Sequence, residues 1–172
     1  MPLKLFKKTK QIAFDRTYDA PSARVWKAWT DPDLLRQWWG PENTLITECD
    51  VELSVGGTIR VVMEAGEGMG KHKGTRWPME GTFTSIEPES LLTYDARSWT
   101  DGQQETTTIE HTNRITFSQV GDATQVRLTI DITNIGPKAK MAAFGMKWGY
   151  KAQLDKLTDV LASAGPTDHR TS

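Results

Sequence analysis

Six strand-like segments follow one another through the middle of the chain, with only short turns between them. They are rich in Thr, Val, Ile and aromatic residues and cover residues 44–53, 57–64, 76–87, 91–99, 105–118 and 124–133. Turn-forming pairs such as Gly56-Gly57 and Asp101-Gly102 separate them. Parallel strands need crossover connections of about a dozen residues or more, and the chain leaves no room for them. The pattern therefore predicts an antiparallel meander.

Further elements flank this strand region on both sides. Alternation at residues 11–18 predicts one more strand, and two short helices are predicted after Pro21 and at Asp31-Pro32. Asp31 can accept hydrogen bonds from free amides at a helix start, where Pro32 has no N–H to leave unpaired. After Pro137 one segment runs to about residue 164, which corresponds to roughly 40 Å if it is helical throughout.

Strand alternation and helical spacing indicate which faces are buried. On the strands, the inward residues are Ile115, Phe117, Val126, Leu128, Ile130 and Ile132. On the last helix, one apolar stripe contains Ala142, Met146, Tyr150, Leu154, Leu157 and Leu161. We expect this helix to cover the apolar side of the sheet, because an antiparallel sheet commonly leaves only one side in water. Met141, Phe144 and Trp148 lie on another side, so the first half of the helix is either enclosed or offers a second apolar face to a partner.

The bulk properties are those of one ordinary domain. The chain has 172 residues, 25% of them charged, and a formal net charge of −1. Without a concentrated basic field, neither nucleic acid nor an anionic membrane surface is an expected partner. No apolar run is long enough to span a bilayer, and the lysine-rich start lacks the apolar core of a signal peptide. We therefore expect a cytoplasmic protein without membrane insertion.

The expected boundaries divide the chain into three parts. Residues 1–9 are predicted to be a disordered or loosely held basic N-terminus. Residues 10–164 are predicted to form the single domain, and residues 165–172 a disordered tail.

Several short motifs occur in a distinctive order. They are Asp19-Ala20-Pro21, Val25-Trp26-Lys27-Ala28-Trp29-Thr30-Asp31-Pro32, Leu35, Trp38-Trp39-Gly40-Pro41, Cys49-Asp50, Gly56-Gly57, Gly81, Phe83, Ile86, Pro88, Leu91, Gly121, Thr124, Gly149-Tyr150, Leu154 and Leu157. In these positions the chain resembles the heat-shock-protein-90 ATPase activator homologue family, within the START-related, polyketide-cyclase-like (SRPBCC, Bet v-like) superfamily.

This resemblance implies an α+β helix-grip fold. In such a fold a curved antiparallel sheet of six to seven strands, with two short helices after the first strand, holds a long C-terminal helix over its concave face. The family's eukaryotic co-chaperone resembles this chain only in its C-terminal domain. A chaperone-activating role is therefore not implied by the resemblance, and fold alone does not settle function.

The sequence departs from the family pattern at two places. Tyr150 stands where tryptophan is usual, which adds a hydroxyl at an expected cavity position. Thr93 and Asp95 stand where apolar or aromatic residues are usual. Either the pocket is unusually polar, or the inward residues of this strand are the alternate ones. We favour the second interpretation, which places inside Leu92, Tyr94 and Ala96.

The fold and the inward positions together predict a mainly apolar cavity between the sheet and the long helix. We expect Trp38 and Trp39 to lie at one end of this cavity. The remaining wall is predicted from Met63, Met79, Phe83, Tyr94, His111, Asn113, Met146 and Tyr150. Such a cavity suits a small to medium-sized apolar molecule.

His111 is the one candidate for catalysis. It shares strand parity with Asn113, so both are expected to face inward, where buried polar groups need partners. His111 is either satisfied locally, or orients a ligand, or works with a carboxylate such as Asp95 or Glu64 in a cyclase- or hydratase-like reaction. No nucleophile elbow, metal-hydrolase motif or paired-carboxylate motif is present. Binding is therefore favoured over catalysis.

No cofactor or metal site is expected. His72, His111 and His169 are far apart in sequence, and Cys49 is the only cysteine, so zinc-ligand spacing is lacking. The glycine-rich stretch 66–74 lacks the ending of a phosphate loop and predicts a hairpin loop instead.

A third function hypothesis concerns the second apolar face of the long helix. In a protein-interaction module, Phe144 and Trp148 would contact a chaperone or a second copy of the chain in a homodimer.

Overall fold

The structure, a computed structural model, describes residues 10–163. The predicted basic N-terminus at 1–9 and tail at 165–172 lie outside these residues. The elements in chain order are β1 (Lys10–Tyr18), α1 (Ser22–Thr30), α2 (Pro32–Trp38), β2 (Thr44–Val51), β3 (Thr58–Ala65), a 3-10 segment (Glu67–His72), β4 (Arg76–Glu87), β5 (Leu91–Ser98), α3 (Gln104–Thr107), β6 (Ile109–Val120), β7 (Ala123–Ile135) and α4 (Lys140–Ser163).

The strands form one antiparallel sheet in the order β1-β7-β6-β5-β4-β3-β2. From β2 to β7 each strand pairs with its neighbour in the chain, and β1 pairs with β7. This arrangement confirms the antiparallel meander and the α+β helix-grip fold. The curved sheet places its concave face toward α4.

The two short helices after β1 begin and end where the sequence indicates. Asp31 Oδ1 accepts a hydrogen bond of 2.9 Å from the Asp33 N–H, and Pro32 opens α2. Pro21 precedes the first helical residue, and its carbonyl accepts the first hydrogen bonds of α1. Gly40 ends this region with a φ of 82°, which a residue with a Cβ seldom adopts.

Tryptophans of these two helices pack against one another and against β6 in the core. Trp26 packs edge-on against Phe117, with ring centroids 5.3 Å apart. Trp29 packs against Trp38 in the same manner at 4.7 Å. Edge-to-face contacts of this kind add to the stabilisation that the buried area provides.

Helix α4 changes its environment along its length. In its C-terminal half Leu154, Leu157 and Leu161 are buried, as the predicted stripe requires. In its N-terminal half Phe144 and Trp148 are 70% and 67% exposed. The N-terminal half of α4 is therefore not enclosed by the fold, and it presents a second apolar face on the surface.

Strand β5 has the inward parity that we favoured. Leu92, Tyr94 and Ala96 are buried on the concave side. Thr93 faces the other side, where its Oγ1 lies 2.5 Å from Thr84 Oγ1. The Thr93–Asp95 segment therefore leaves the cavity apolar.

The predicted strand at 105–118 begins later than expected, because α3 occupies its first residues. Thr107 and Thr108 donate their hydroxyls back to the carbonyls of Gln103 and Gln104, at 2.8 and 2.5 Å. Such local bonds compete with a strand ladder. The glycine-rich stretch does form a hairpin loop between β3 and β4, as predicted. No helix among residues 10–163 is both long and apolar enough to cross a membrane.

Candidate functional site

A cavity of about 520 Å³ lies between the concave face of the sheet and the N-terminal half of α4. The sheet side of its wall comes from the ends of β3, β4, β5 and β6, and the segment after α2 closes one end. Its lining residues are Trp39, Pro41, Thr44, Met63, Met69, Trp77, Pro78, Met79, Ser98, Trp99, Thr100, Thr107, Ile109, Ala142, Gly145, Met146, Gly149, Tyr150 and Gln153.

The space exists because α4 presents small residues to the sheet. Ala142, Gly145 and Gly149 recur on the cavity side at the three- and four-residue spacing of one helical face. A Cβ atom added at Gly145 or Gly149 would meet no atom within 4 Å. A bulkier residue at either position would therefore extend into open space.

Thioethers and aromatic rings form most of the apolar wall. Met63, Met69, Met79 and Met146 all line the cavity. Methionine is flexible and polarizable, so a wall rich in it can adapt to ligands of irregular shape. Trp39 packs edge-on against Tyr150, with centroids 6.4 Å apart, and this pair closes the end near α2.

Gly40 links this end of the cavity to α4 through both of its backbone groups. Its N–H donates to Gln153 Oε1 at 3.0 Å, and its carbonyl accepts from Lys156 Nζ at 2.9 Å. A backbone N–H can only donate, so the oxygen of the Gln153 amide must face Gly40. The Nε2 atom of Gln153 is buried and has no hydrogen-bond partner among residues 10–163.

Behind the opposite part of the wall, three neutral side chains are joined by hydrogen bonds: Asn113, His111 and Ser98. Asn113 Nδ2 lies 2.8 Å from His111 Nδ1, and Ser98 Oγ lies 3.0 Å from His111 Nε2. Because the Asn113 amide nitrogen donates, Nδ1 is the acceptor and Nε2–H donates to Ser98. Burial lowers the pKa of His111 to about 4, so the ring is uncharged at neutral pH.

Tyr150 lines the cavity, and Tyr94 lies in the core behind it. Burial raises the pKa of Tyr150 well above its usual value. Burial also raises the pKa of Tyr94, and the nearby Tyr150 adds to this effect. Both phenols are therefore neutral, and that of Tyr150 lies on the cavity wall.

The structure brings half of the expected cavity residues to the wall. Those that line it are Trp39, Met63, Met79, Met146 and Tyr150. The others lie in the packed core behind it: Trp38, Phe83, Tyr94, His111 and Asn113. Trp38 donates its Nε1–H to the Ala28 carbonyl at 2.9 Å, which holds it inside the helical corner.

Sequence reasoning missed several wall residues whose positions carried a usable signal. Trp77 shares strand parity with Met79, and Ser98 shares it with Tyr94. Gln153 lies two helical turns after Met146, on the same face of α4. The sequence does not indicate at which residue of each strand the cavity begins.

The acid–base pairing considered for His111 is not formed. Asp95 is exposed on the other side of the sheet, where it accepts a hydrogen bond of 2.8 Å from Thr112. No cluster of potential metal ligands occurs within residues 10–163. Cys49 is buried, and burial raises the pKa of its thiol to about 11, so it is a poor nucleophile.

A second, wider depression of about 700 Å³ lies on the opposite face of the sheet. Both of its arginines are paired with carboxylates: Arg60 contacts Glu80 and Glu48, and Arg97 contacts Glu80. These half-exposed pairs leave little net charge for a ligand, so the cavity under α4 is the better candidate site.

Comparisons with known proteins agree with this fold. The family model described as "Activator of Hsp90 ATPase homolog 1-like protein" matches residues 19–162. A search of curated proteins found no match.

Solved bacterial structures have the same fold at low sequence identity. A protein from Rhizobium leguminosarum is 20% identical with a TM-score of 0.74, covering 91% of this chain and 96% of that one. A protein from Arthrobacter aurescens, solved by NMR, is 21% identical with a TM-score of 0.71, covering 94% and 92%. A protein from Rhodobacter sphaeroides is 24% identical with a TM-score of 0.68, covering 89% and 93%.

Proposed function

The chain belongs to the activator of Hsp90 ATPase homolog 1-like family, and from its cavity we propose that it binds a small to medium-sized apolar molecule between the sheet and α4. The observation that supports this most directly is the cavity itself. Its volume of about 520 Å³ lies within the roughly 300–1,000 Å³ of typical ligand sites.

The distribution of polar atoms supports the same proposal. Ligand sites are mostly apolar and contain a few polar groups that orient the ligand. Here the buried amide of Gln153, the hydroxyl of Ser98 and the phenol of Tyr150 are set among methionine and tryptophan side chains.

Methionine methyl NMR tests the proposal directly. The probe is acetonaphthone, a neutral ketone small enough for the cavity, titrated into protein with ¹³C-labelled methionine methyls. We expect shift changes at Met63, Met69, Met79 and Met146, which line the cavity. Met141 is 83% exposed and not part of the wall, so it serves as an internal control.

A filled-cavity variant completes this experiment. Gly149→Leu should abolish the shifts, whereas Gly149→Ala should keep them, since only the longer side chain occupies the space. Shifts confined to Met141, or shifts that persist in Gly149→Leu, would contradict cavity binding.

The enzyme alternative has weaker support. Both ring nitrogens of His111 are engaged by neutral groups, and its pKa of about 4 makes it a weak base. The nearest polar groups, Ser98 and Asn113, carry no charge.

The exposed face of α4 favours a second candidate, binding to an Hsp90-type chaperone, the partner that the family description contains. The face consists of Met141, Phe144 and Trp148. Residues 138–151 contain four lysines and no acidic residue, although the whole chain has a net charge of −1. A partner with an acidic surface complements this face, whereas a two-fold pairing of two copies would oppose lysines to lysines.

Calorimetric titration with a purified Hsp90-type chaperone tests this second candidate. Trp148→Ala should weaken binding by about tenfold or more, because a tryptophan that becomes buried in an interface is a frequent hot spot. Val120→Ala removes an exposed apolar side chain elsewhere and should change nothing. Absence of binding would exclude the chaperone as the partner. A free protein that sediments as a dimer, but only when Trp148 is intact, would also exclude it and would assign this face to a second copy of the chain.

A further inference from the structure

We infer that the cavity selects uncharged, mainly apolar molecules that carry hydrogen-bond acceptors, such as ketones, esters or quinones. This ligand class depends on the proposed binding function and specifies it. Two properties of the wall lead to it: its lack of charge, and the direction in which its unpaired polar atoms can hydrogen-bond.

The wall contains no ionisable group that is charged at neutral pH. Charged residues make up 25% of the chain, yet none of the lining residues is Asp, Glu, Lys, Arg or His. The one histidine behind the wall, His111, is neutral as well, and it reaches the cavity only through Ser98. Tyr150 remains protonated because burial raises its pKa.

A charged ligand would have to leave water without meeting a counter-charge. Burying an unpaired ion costs several kcal/mol even after the protein relaxes. A neutral ligand of the same shape avoids that cost. Carboxylates and ammonium compounds should therefore bind much more weakly than their uncharged analogues.

Ser98 presents a donor to the cavity. Its Oγ receives the Nε2–H of His111 at 3.0 Å, because Asn113 donates to the other ring nitrogen. Once the oxygen accepts this bond, the hydroxyl proton of Ser98 can turn toward the cavity. A ligand acceptor can then receive this proton.

Gln153 presents a second donor for an analogous reason. Its oxygen accepts from the Gly40 N–H, which leaves the Nε2 hydrogens without a partner among the described residues. Gln153 is only 5% exposed. Its Nε2 is nearly covered, so a ligand oxygen would reach it after a small shift of the wall.

The remaining polar wall atoms do not reverse this preference. Thr107 Oγ1 both donates to the Gln103 carbonyl and accepts from the Thr100 N–H, so it is already satisfied. The hydroxyls of Thr100 and Tyr150 can donate or accept. Among the hydroxyl, amide and indole groups that line the wall, Gln153 Nε2 and the indole N–H groups can only donate and Ser98 is able to donate. Within residues 10–163, only the oxygen of Thr44, whose hydroxyl donates to Pro41, is left with an accepting role alone.

Three naphthalene compounds of nearly the same shape test this ligand class. Acetonaphthone is neutral and has an acceptor, ethylnaphthalene is neutral and has none, and naphthoate is an anion. Their dissociation constants are measured by quenching of tryptophan fluorescence, since Trp39, Trp77 and Trp99 all line the cavity. We expect acetonaphthone to bind at least about tenfold more tightly than naphthoate, and several-fold more tightly than ethylnaphthalene.

Two variants identify the donors. Ser98→Ala should remove part of the advantage of acetonaphthone over ethylnaphthalene while leaving ethylnaphthalene binding unchanged. Met79→Leu keeps the wall apolar, changes no hydrogen bond, and should leave the ratio of the two affinities unaltered.

The outcomes separate this ligand class from the proposed function. Naphthoate binding as tightly as acetonaphthone would overturn the uncharged class while leaving cavity binding intact. Equal affinities for acetonaphthone and ethylnaphthalene would overturn the requirement for an acceptor. If none of the three binds, or if Gly149→Leu binds all three unchanged, the proposed cavity function itself fails and the ligand class with it.

Discussion

Gln153 in the middle of α4 accepts a hydrogen bond of 3.0 Å from the backbone N–H of Gly40, from which it is separated by 113 residues in sequence. This bond joins the end of α2 to the long helix at the edge of the cavity. It also fixes the orientation of the one amide side chain that residues 10–163 contribute to the cavity wall.

Gln153→Leu should destabilise the protein by about 1–3 kcal/mol, because the Gly40 N–H would be left buried without a partner. Urea unfolding monitored by circular dichroism measures this difference. Gln37→Leu is a matched control on an exposed position of α2 and should change stability by less than about 0.5 kcal/mol. Equal effects of the two substitutions would show that the Gly40 bond does not contribute.

Gly149→Ala should raise stability by about 0.5–1 kcal/mol, because alanine favours a helix interior and the added methyl group meets no atom within 4 Å. Thermal unfolding by calorimetry measures the change. The opposite result, a loss of stability, would mean that the cavity side of α4 is more tightly packed than the structure has it.

The stability should fall with decreasing pH in the window set by His111. The pKa of His111 is about 4 in the folded protein and about 6.5 in the unfolded chain. Between these values the unfolded state binds more protons, so the contribution is fully present above about pH 6.5 and is lost as the pH falls toward 4. The size of this contribution is on the order of 3 kcal/mol.

His111→Gln isolates that contribution from the titration of carboxylates. Unfolding free energies of both proteins are measured at intervals from pH 4 to pH 8. The difference between them should vary with pH in the stated direction and should be constant above pH 7. A difference that does not depend on pH would contradict a neutral, buried His111.

Trp38→Ala and Trp148→Ala should differ greatly in their effect on folding. Trp38 is fully buried and donates to Ala28, so its removal should cost about 3–5 kcal/mol. Trp148 is 67% exposed, and its removal should stay within about 0.5 kcal/mol. Chemical unfolding of the two variants measures both values, and similar losses would place Trp148 in the folded core.

The fold was predictable from the sequence because local signals and the global pattern agree. Closely spaced strands excluded crossovers, and Asp31-Pro32 marked the start of α2. The inward side of β5 followed from Leu92, Tyr94 and Ala96. In each case the deciding interaction lies within a few residues or within one strand pair.

The composition of the site was less predictable, for physical reasons. Strand parity identifies the side of the sheet on which Phe83 and Tyr94 lie. It does not indicate how far these residues are from the cavity, which begins where α4 moves away from the sheet. Adjacent Trp38 and Trp39 point to different places, one into the core and one to the cavity, because α2 ends between them. The Gly40–Gln153 bond joins distant segments and has no local signature.

The glycines of α4 also lower the local stability of the helix beside the cavity. Each of Gly145 and Gly149 weakens the helix by about 1 kcal/mol relative to alanine, and both lie in the half that packs least on the sheet. Local opening of this half requires far less free energy than unfolding the domain. Under the proposed binding function, entry and release of a ligand would therefore proceed through brief fraying of the first turns of α4, while Leu154, Leu157 and Leu161 keep the rest of the helix in place.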